Sequence, residues 1–171
     1  MNKLQVKLMR RTALTRRKDA QTLRDADPFG DRSDSEYMLE LLALELLIKC
    51  LLHAHDQAFK VRKGHHYDDL FKLLPAQLQS DILEKAVEIA GPSPLTVDPT
   101  GLLNKLGKQF IELRYPHEKY SDLGSEEEYI AVGEAWTLLG ADPDSADFRY
   151  YPDELRALLM ALEEVTERYV A

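Results

Sequence analysis

Cysteine is nearly absent from this chain of 171 residues, and its one thiol, Cys50, sits in an apolar run. A disulfide framework or a Cys-based zinc centre within one chain is therefore excluded, and a reducing, cytoplasmic setting is expected. Long apolar runs are missing too. The stretch from Tyr37 to Leu52 is interrupted by Glu40, Glu45 and Lys49 and falls short of the roughly 20 apolar residues that a bilayer span requires. It reads as a core helix, and no membrane association is expected. Lys3, Lys7, Arg10 and Arg11 open the chain with no apolar segment behind them, which is not the form of a secretory signal. There is no Gly-rich phosphate loop, no recognisable Ser-His-Asp spacing, no internal repeat and no low-complexity tract; no cofactor is implied.

Positive charge is in short supply overall, and the net charge of −8 argues against a surface that grips nucleic acid everywhere. The basic residues are concentrated. Residues 1–24 hold eight Lys or Arg and a single acid, Asp19. On a helical wheel Lys3, Lys7, Arg10, Arg17 and Arg24 fall in one arc, which is either a phosphate-binding stripe or a face that pairs with acidic neighbours.

What is present reads as helix after helix, in one domain. The spacing predicts a helix over 4–24, ended by the breaker cluster Asp25-Ala26-Asp27-Pro28-Phe29-Gly30. Ser33-Asp34-Ser35-Glu36 has the capping-box form and opens a second helix expected to reach about Ala58. Its apolar positions cover nearly the whole circumference, the pattern of a helix surrounded by others. A short helix over 68–74 stops at Pro75, and another runs from Ala76 to Ala90 before Gly91 and Pro92. Asp98 and Pro99 provide an N-cap and a first-turn proline for a helix with Leu102, Leu106, Phe110 and Leu113 on one stripe; Pro116 ends it beside Arg114. Ser125-Glu126-Glu127-Glu128 caps a helix through Trp136 to Leu139, and a last helix covers Asp153 to Tyr169. The expectation is an all-α bundle of four or five core helices, about residues 10–120, with a C-terminal helical extension over about 121–171.

Three groups could carry chemistry. Glu45, Lys49, His53 and Asp56 follow at spacings of four, four and three, on one face of the second helix. Arg114-Tyr115-Pro116-His117-Glu118 joins a guanidinium fork suited to phosphate oxygens with an imidazole able to move a proton near neutral pH. His53 and His55 with His65 and His66 lack a recognised ligand spacing, so no metal is expected.

These residues, in this order, carry a family resemblance. Arg16-Arg17-Lys18-Asp19-Ala20, then Leu44 to Leu52 with Glu45 and Lys49, then Gly64-His65 leading to Leu70-Phe71 and Leu74-Pro75, and finally Phe110-Ile111-Glu112-Leu113-Arg114-Tyr115, resemble a HEPN domain over about residues 10–120. The resemblance implies a helical bundle, usually a two-fold homodimer, that binds RNA, a nucleotide or a protein partner encoded nearby, in prokaryotic defence or toxin–antitoxin systems. It sets Glu45 and Lys49 opposite the 98–115 helix, close to Arg114, and makes Glu45, Lys49, His65, Arg114, Tyr115 and Glu118 the binding residues. Active ribonucleases of this family carry Arg and His separated by four to six residues. Here two residues separate Arg114 from His117 and three separate Arg62 from His66. A non-catalytic binding module is therefore the expectation, with a metal-independent ribonuclease using Arg114 and His117 as the alternative.

Overall fold

The computed structural model describes residues 3–26, 34–57 and 65–169. These form eight α-helices and no strand: α1 (Lys3–Ala26), α2 (Ser35–Ala54), α3 (Tyr67–Lys72), α4 (Ala76–Ala90), α5 (Pro94–Val97), α6 (Pro99–Glu112), α7 (Glu126–Leu138) and α8 (Pro152–Glu167). Short 3-10 turns lie at Pro116–Tyr120 and Pro143–Ser145. The architecture is the all-α bundle expected from the hydrophobic periodicity.

The near-continuous apolar character of α2 has the expected consequence. Leu41, Leu44, Leu47, Ile48, Leu51 and Leu52 are all completely buried, and α1, α3, α6 and α8 pack around this hub. α1 meets it through Val6, Ala13 and Ala20, buried at seven-residue intervals. Such small side chains let two helix axes approach closely. α8 buries Leu155, Leu158, Leu159, Leu162 and Val165, and contacts both α2 and α4. The segment beyond residue 121 thus has two characters: α8 lies within the core, whereas α7 buries no residue.

The helix ends follow local chemistry. The Asp98 carboxylate accepts from Gly101 N at 2.8 Å. Ser125 Oγ accepts from Glu128 N at 3.2 Å, and the Glu128 carboxylate reaches back to Gly124 N at 2.7 Å, a reciprocal cap displaced by one residue from the capping-box form. Gly140, at φ +98°, closes α7 with bonds from Ala141 N to Trp136 O and from Gly140 N to Thr137 O, the Schellman arrangement.

The expected end of the second helix needs correction: α2 stops at Ala54 rather than near Ala58. Asp56 adopts φ +53°, and Gln57 N bonds Leu52 O while Asp56 N bonds His53 O. This is the same C-terminal motif, with Asp in the place that glycine usually takes. The four-residue helix α5 was not anticipated from the sequence, and Ser33 and Ala58 fall outside the described residues.

The cationic arc of α1 is largely occupied by acids of the same chain. Arg24 pairs with Glu40 at 2.9 Å and Glu36 at 3.4 Å, Arg17 pairs with Glu163, and Arg10 lies 3.9 Å from Glu167 and 3.3 Å from Thr166 Oγ1. Those three arginines join α1 to α2 and α8. A second buried network fixes the 149–151 segment. Tyr37 OH donates to Gln109 Oε1 at 2.9 Å, Tyr151 N donates to Tyr37 OH at 3.2 Å, and Gln109 Nε2 donates to Arg149 O. No helix among the described residues is long and apolar enough to cross a membrane.

Candidate functional site

Glu45 is the most informative residue of α2, because only 4% of its surface is exposed. A buried carboxylate is costly unless both oxygens are engaged. Here Oε1 accepts from Lys49 Nζ at 2.5 Å, and Oε2 lies 2.8 Å from His65 Nδ1. A carboxylate only accepts, so Nδ1 donates. The His65 side chain is 39% exposed.

The chain brings His65 to this point by a close approach at α6. An added Cβ on Gly107 would be 3.2 Å from Tyr67 N and closer still to the His65 carbonyl oxygen. Glycine is required there so that the start of α3 can lie on α6. One turn further along α6, Phe110 forms a floor: the His65 ring is 5.0 Å from its centroid, tilted by 42°. The Arg114 guanidinium lies 5.4 Å from the same centroid and 5.8 Å from the Tyr115 ring. An imidazole and a guanidinium therefore both lie against the Phe110 ring. Arg114 is exposed and has no acidic partner among the described residues. Tyr115 beside it is 48% exposed.

His117 belongs elsewhere. Its ring meets Tyr115 edge-on at 6.3 Å, and it lines an open cleft of about 520 Å³ with Pro116, Tyr120, Leu123 and Tyr129. Tyr115 thus contacts both Arg114 and His117, while the imidazole that shares the Phe110 floor with Arg114 is His65. Glu118 is exposed and meets this cluster through its backbone, Glu118 N donating to Tyr115 O at 3.0 Å.

The stripe proposed on α2 divides as well. Glu45 and Lys49 pair, but the His53 ring turns to Gln5 of α1 at 3.4 Å, and Asp56 lies beyond the helix end. His55 packs edge-on against Tyr169 at 4.9 Å. Among the described residues no three His, Cys, Asp or Glu side chains are grouped as a metal site. Cys50 is buried, its Sγ 3.4 Å from Val6 O, and burial pushes its thiol up to about 11.

Sequence reasoning selected Glu45, Lys49, His65, Arg114 and Tyr115 but expected Glu45 to face Arg114. In the structure Glu45 meets Lys49 and His65, and Arg114 meets Phe110 and Tyr115. In the sequence Phe110 reads only as part of the apolar stripe, and the one signal for the close approach is Gly107, a glycine in the middle of an otherwise good helix. Comparison with protein-family models, with curated proteins and with solved structures finds no match for this chain.

Proposed function

We propose that this chain is a HEPN-like helical module that binds single-stranded RNA or a nucleotide at the face formed by His65, Phe110, Arg114 and Tyr115. One observation carries the reading: an exposed guanidinium, without an acid to neutralise it among the described residues, lies against the same Phe110 ring as a carboxylate-anchored imidazole. A guanidinium fork suits phosphate oxygens, and an exposed tyrosine beside it offers a base a stacking surface. In this reading Glu45 and Lys49 position His65. The two-fold homodimer implied by the resemblance, a prokaryotic defence or toxin–antitoxin setting, and a cytoplasmic location belong to the same proposal.

Fluorescence anisotropy with a labelled RNA oligonucleotide tests it. Arg114→Ala should weaken binding by at least tenfold, Tyr115→Ala by severalfold, and binding should fall steeply with salt through counterion release. Equal affinity for wild type and Arg114→Ala would refute the reading.

A second reading, metal-independent RNA cleavage, is favoured by the Glu45–His65 pair. It differs from the sequence-based alternative in using His65 rather than His117 beside Arg114, because a base held by a carboxylate is the better oriented proton acceptor for a 2′-hydroxyl. A cleavage time course in EDTA separates the two. Negligible cleavage by wild type supports the binding module; robust cleavage lost in both Arg114→Ala and His65→Ala but kept in His117→Ala supports the nuclease.

A further inference from the structure

Helix α7 has the sequence EEEYIAVGEAWTL and buries none of its residues. Tyr129 and Ile130 are each 51% exposed, and Leu138 and Leu139 beyond 80%. A helix apolar on most sides is ordinarily enclosed by others. Here Val132, Gly133 and Trp136 line a cleft against residues 145–150. On its outward side Ile130, Glu134, Trp136, Thr137 and Leu138 rim a concavity of about 660 Å³ around Gly133, where an added Cβ would meet nothing within 4 Å. The helix carries Glu126, Glu127, Glu128 and Glu134 and no basic residue.

The complementary surface exists on α1. Opposite the Val6, Ala13 and Ala20 seam, Leu4 and Leu8 are exposed, four residues apart on one stripe. Lys3, Lys7 and Arg11 lie beside them and Lys18 about three turns further on, all exposed and with no acidic partner among the described residues. Arg10, Arg16, Arg17 and Arg24 are bound within the chain, so these four cations are what α1 offers outward.

We propose that α7 is the docking face for α1 of a second copy of this chain. Leu4 and Leu8 occupy the concavity at Gly133, while Lys7 and Arg11 face Glu134 and the glutamates of the first turn. In a two-fold pair the contact forms twice, each copy giving its α1 and receiving its partner's. This deepens the self-association proposed above by naming its interface, and it is independent of the RNA-binding face.

The test is sedimentation or light scattering of the full chain at micromolar concentration. Wild type should be a dimer at low salt and should loosen as salt screens the charges. One variant, Glu126→Lys with Glu134→Lys, and another, Lys7→Glu with Arg11→Glu, should each lose at least tenfold in self-association. Mixing them should restore the dimer, because every contact in the mixed pair again joins opposite charges. Gly133→Leu, whose Cβ meets nothing of its own chain within 4 Å, should weaken the dimer while the melting temperature of the monomer, taken at a concentration below dimerisation, stays level or rises. A wild-type monomer would overturn both the interface and self-association. A dimer indifferent to Gly133→Leu and to both reversals would overturn this interface and leave self-association to another surface. Loss in each reversal without recovery on mixing would overturn α1 as the occupant.

Discussion

Replacing Gly107 by alanine tests the link between fold and site through a single methyl group. The added Cβ meets backbone on α3, 3.2 Å from Tyr67 N and nearer to the His65 carbonyl, and backbone cannot rotate away as a side-chain tip can. α3 must move off α6, and His65 moves with it, lengthening the 2.8 Å bond from Nδ1 to Glu45. Overpacking a well-filled site costs about 1–3 kcal/mol, whereas Gly to Ala inside a helix returns about 1 kcal/mol. The net loss is up to about 2 kcal/mol. For a chain of this size that lowers the melting temperature by up to roughly 8 °C, at about 2–4 °C per kcal/mol. Gly133→Ala is the control, since it brings the same helix gain with nothing within 4 Å, and it should raise stability by up to about 1 kcal/mol. Thermal denaturation of both variants, with NMR of the His65 ring, is the assay. If Gly107→Ala is as stabilising as Gly133→Ala and leaves the His65 resonances unmoved, the close approach is wrong and the placement of His65 fails with it.

Four further outcomes are expected. Tyr37→Phe removes the hydroxyl that accepts from Tyr151 N and donates to Gln109 Oε1, leaving buried partners unsatisfied, and should cost about 1–3 kcal/mol in urea denaturation. Cys50, buried and with its thiol pushed up to about 11, holds well under about 1% thiolate at pH 8; iodoacetamide should leave it unmodified in the native protein and label it on unfolding, and rapid native labelling would contradict its packing against Val6. Leu158→Ala in α8 should cost about 2–5 kcal/mol, and a chain ending at residue 120 should give no cooperative unfolding transition. A cooperative transition in the truncated chain would show that α8 is dispensable to the core.

The elements that were legible in the sequence share one property: their signal is local or periodic. α2 announced its hub position because Leu and Ile recur on every side, and α7 announced its start at Ser125 because the cap bonds lie within four residues. Asp56 broke that rule. An aspartate in the left-handed region gives no pattern that distinguishes it from an aspartate in a last helical turn, so the end of α2 was placed too late. The site shows the same division. Glu45 and Lys49 are four apart on one helix and their pairing was readable, whereas His65 reaches Glu45 across 20 residues of chain through a contact that depends on Gly107 of a third element. Residue type nominated His65 and Arg114, but only the tertiary structure sets both on Phe110.

The basic run at residues 3–24 shows why charge composition alone could not decide between a phosphate-binding stripe and an internal pairing face. The arc containing Arg10, Arg17 and Arg24 turns toward α2 and α8, where Glu36, Glu40, Glu163 and Glu167 meet it; those arginines hold helices together. The outward arc, with Lys3, Lys7, Arg11 and Lys18, faces no acid of its own chain among the described residues. That arc is the alternative phosphate-binding surface, since an RNA backbone and the acidic α7 of a second copy each act by neutralising the same ammonium and guanidinium groups. If the α1–α7 pairing is right, excess RNA should leave the dimer intact and bind through Arg114, and Lys7→Glu with Arg11→Glu should break the dimer while changing RNA affinity far less than Arg114→Ala does. If instead the double reversal on α1 abolishes RNA binding and Arg114→Ala does not, the phosphate-binding surface lies on α1 and the assignment to the α2–α6 face fails.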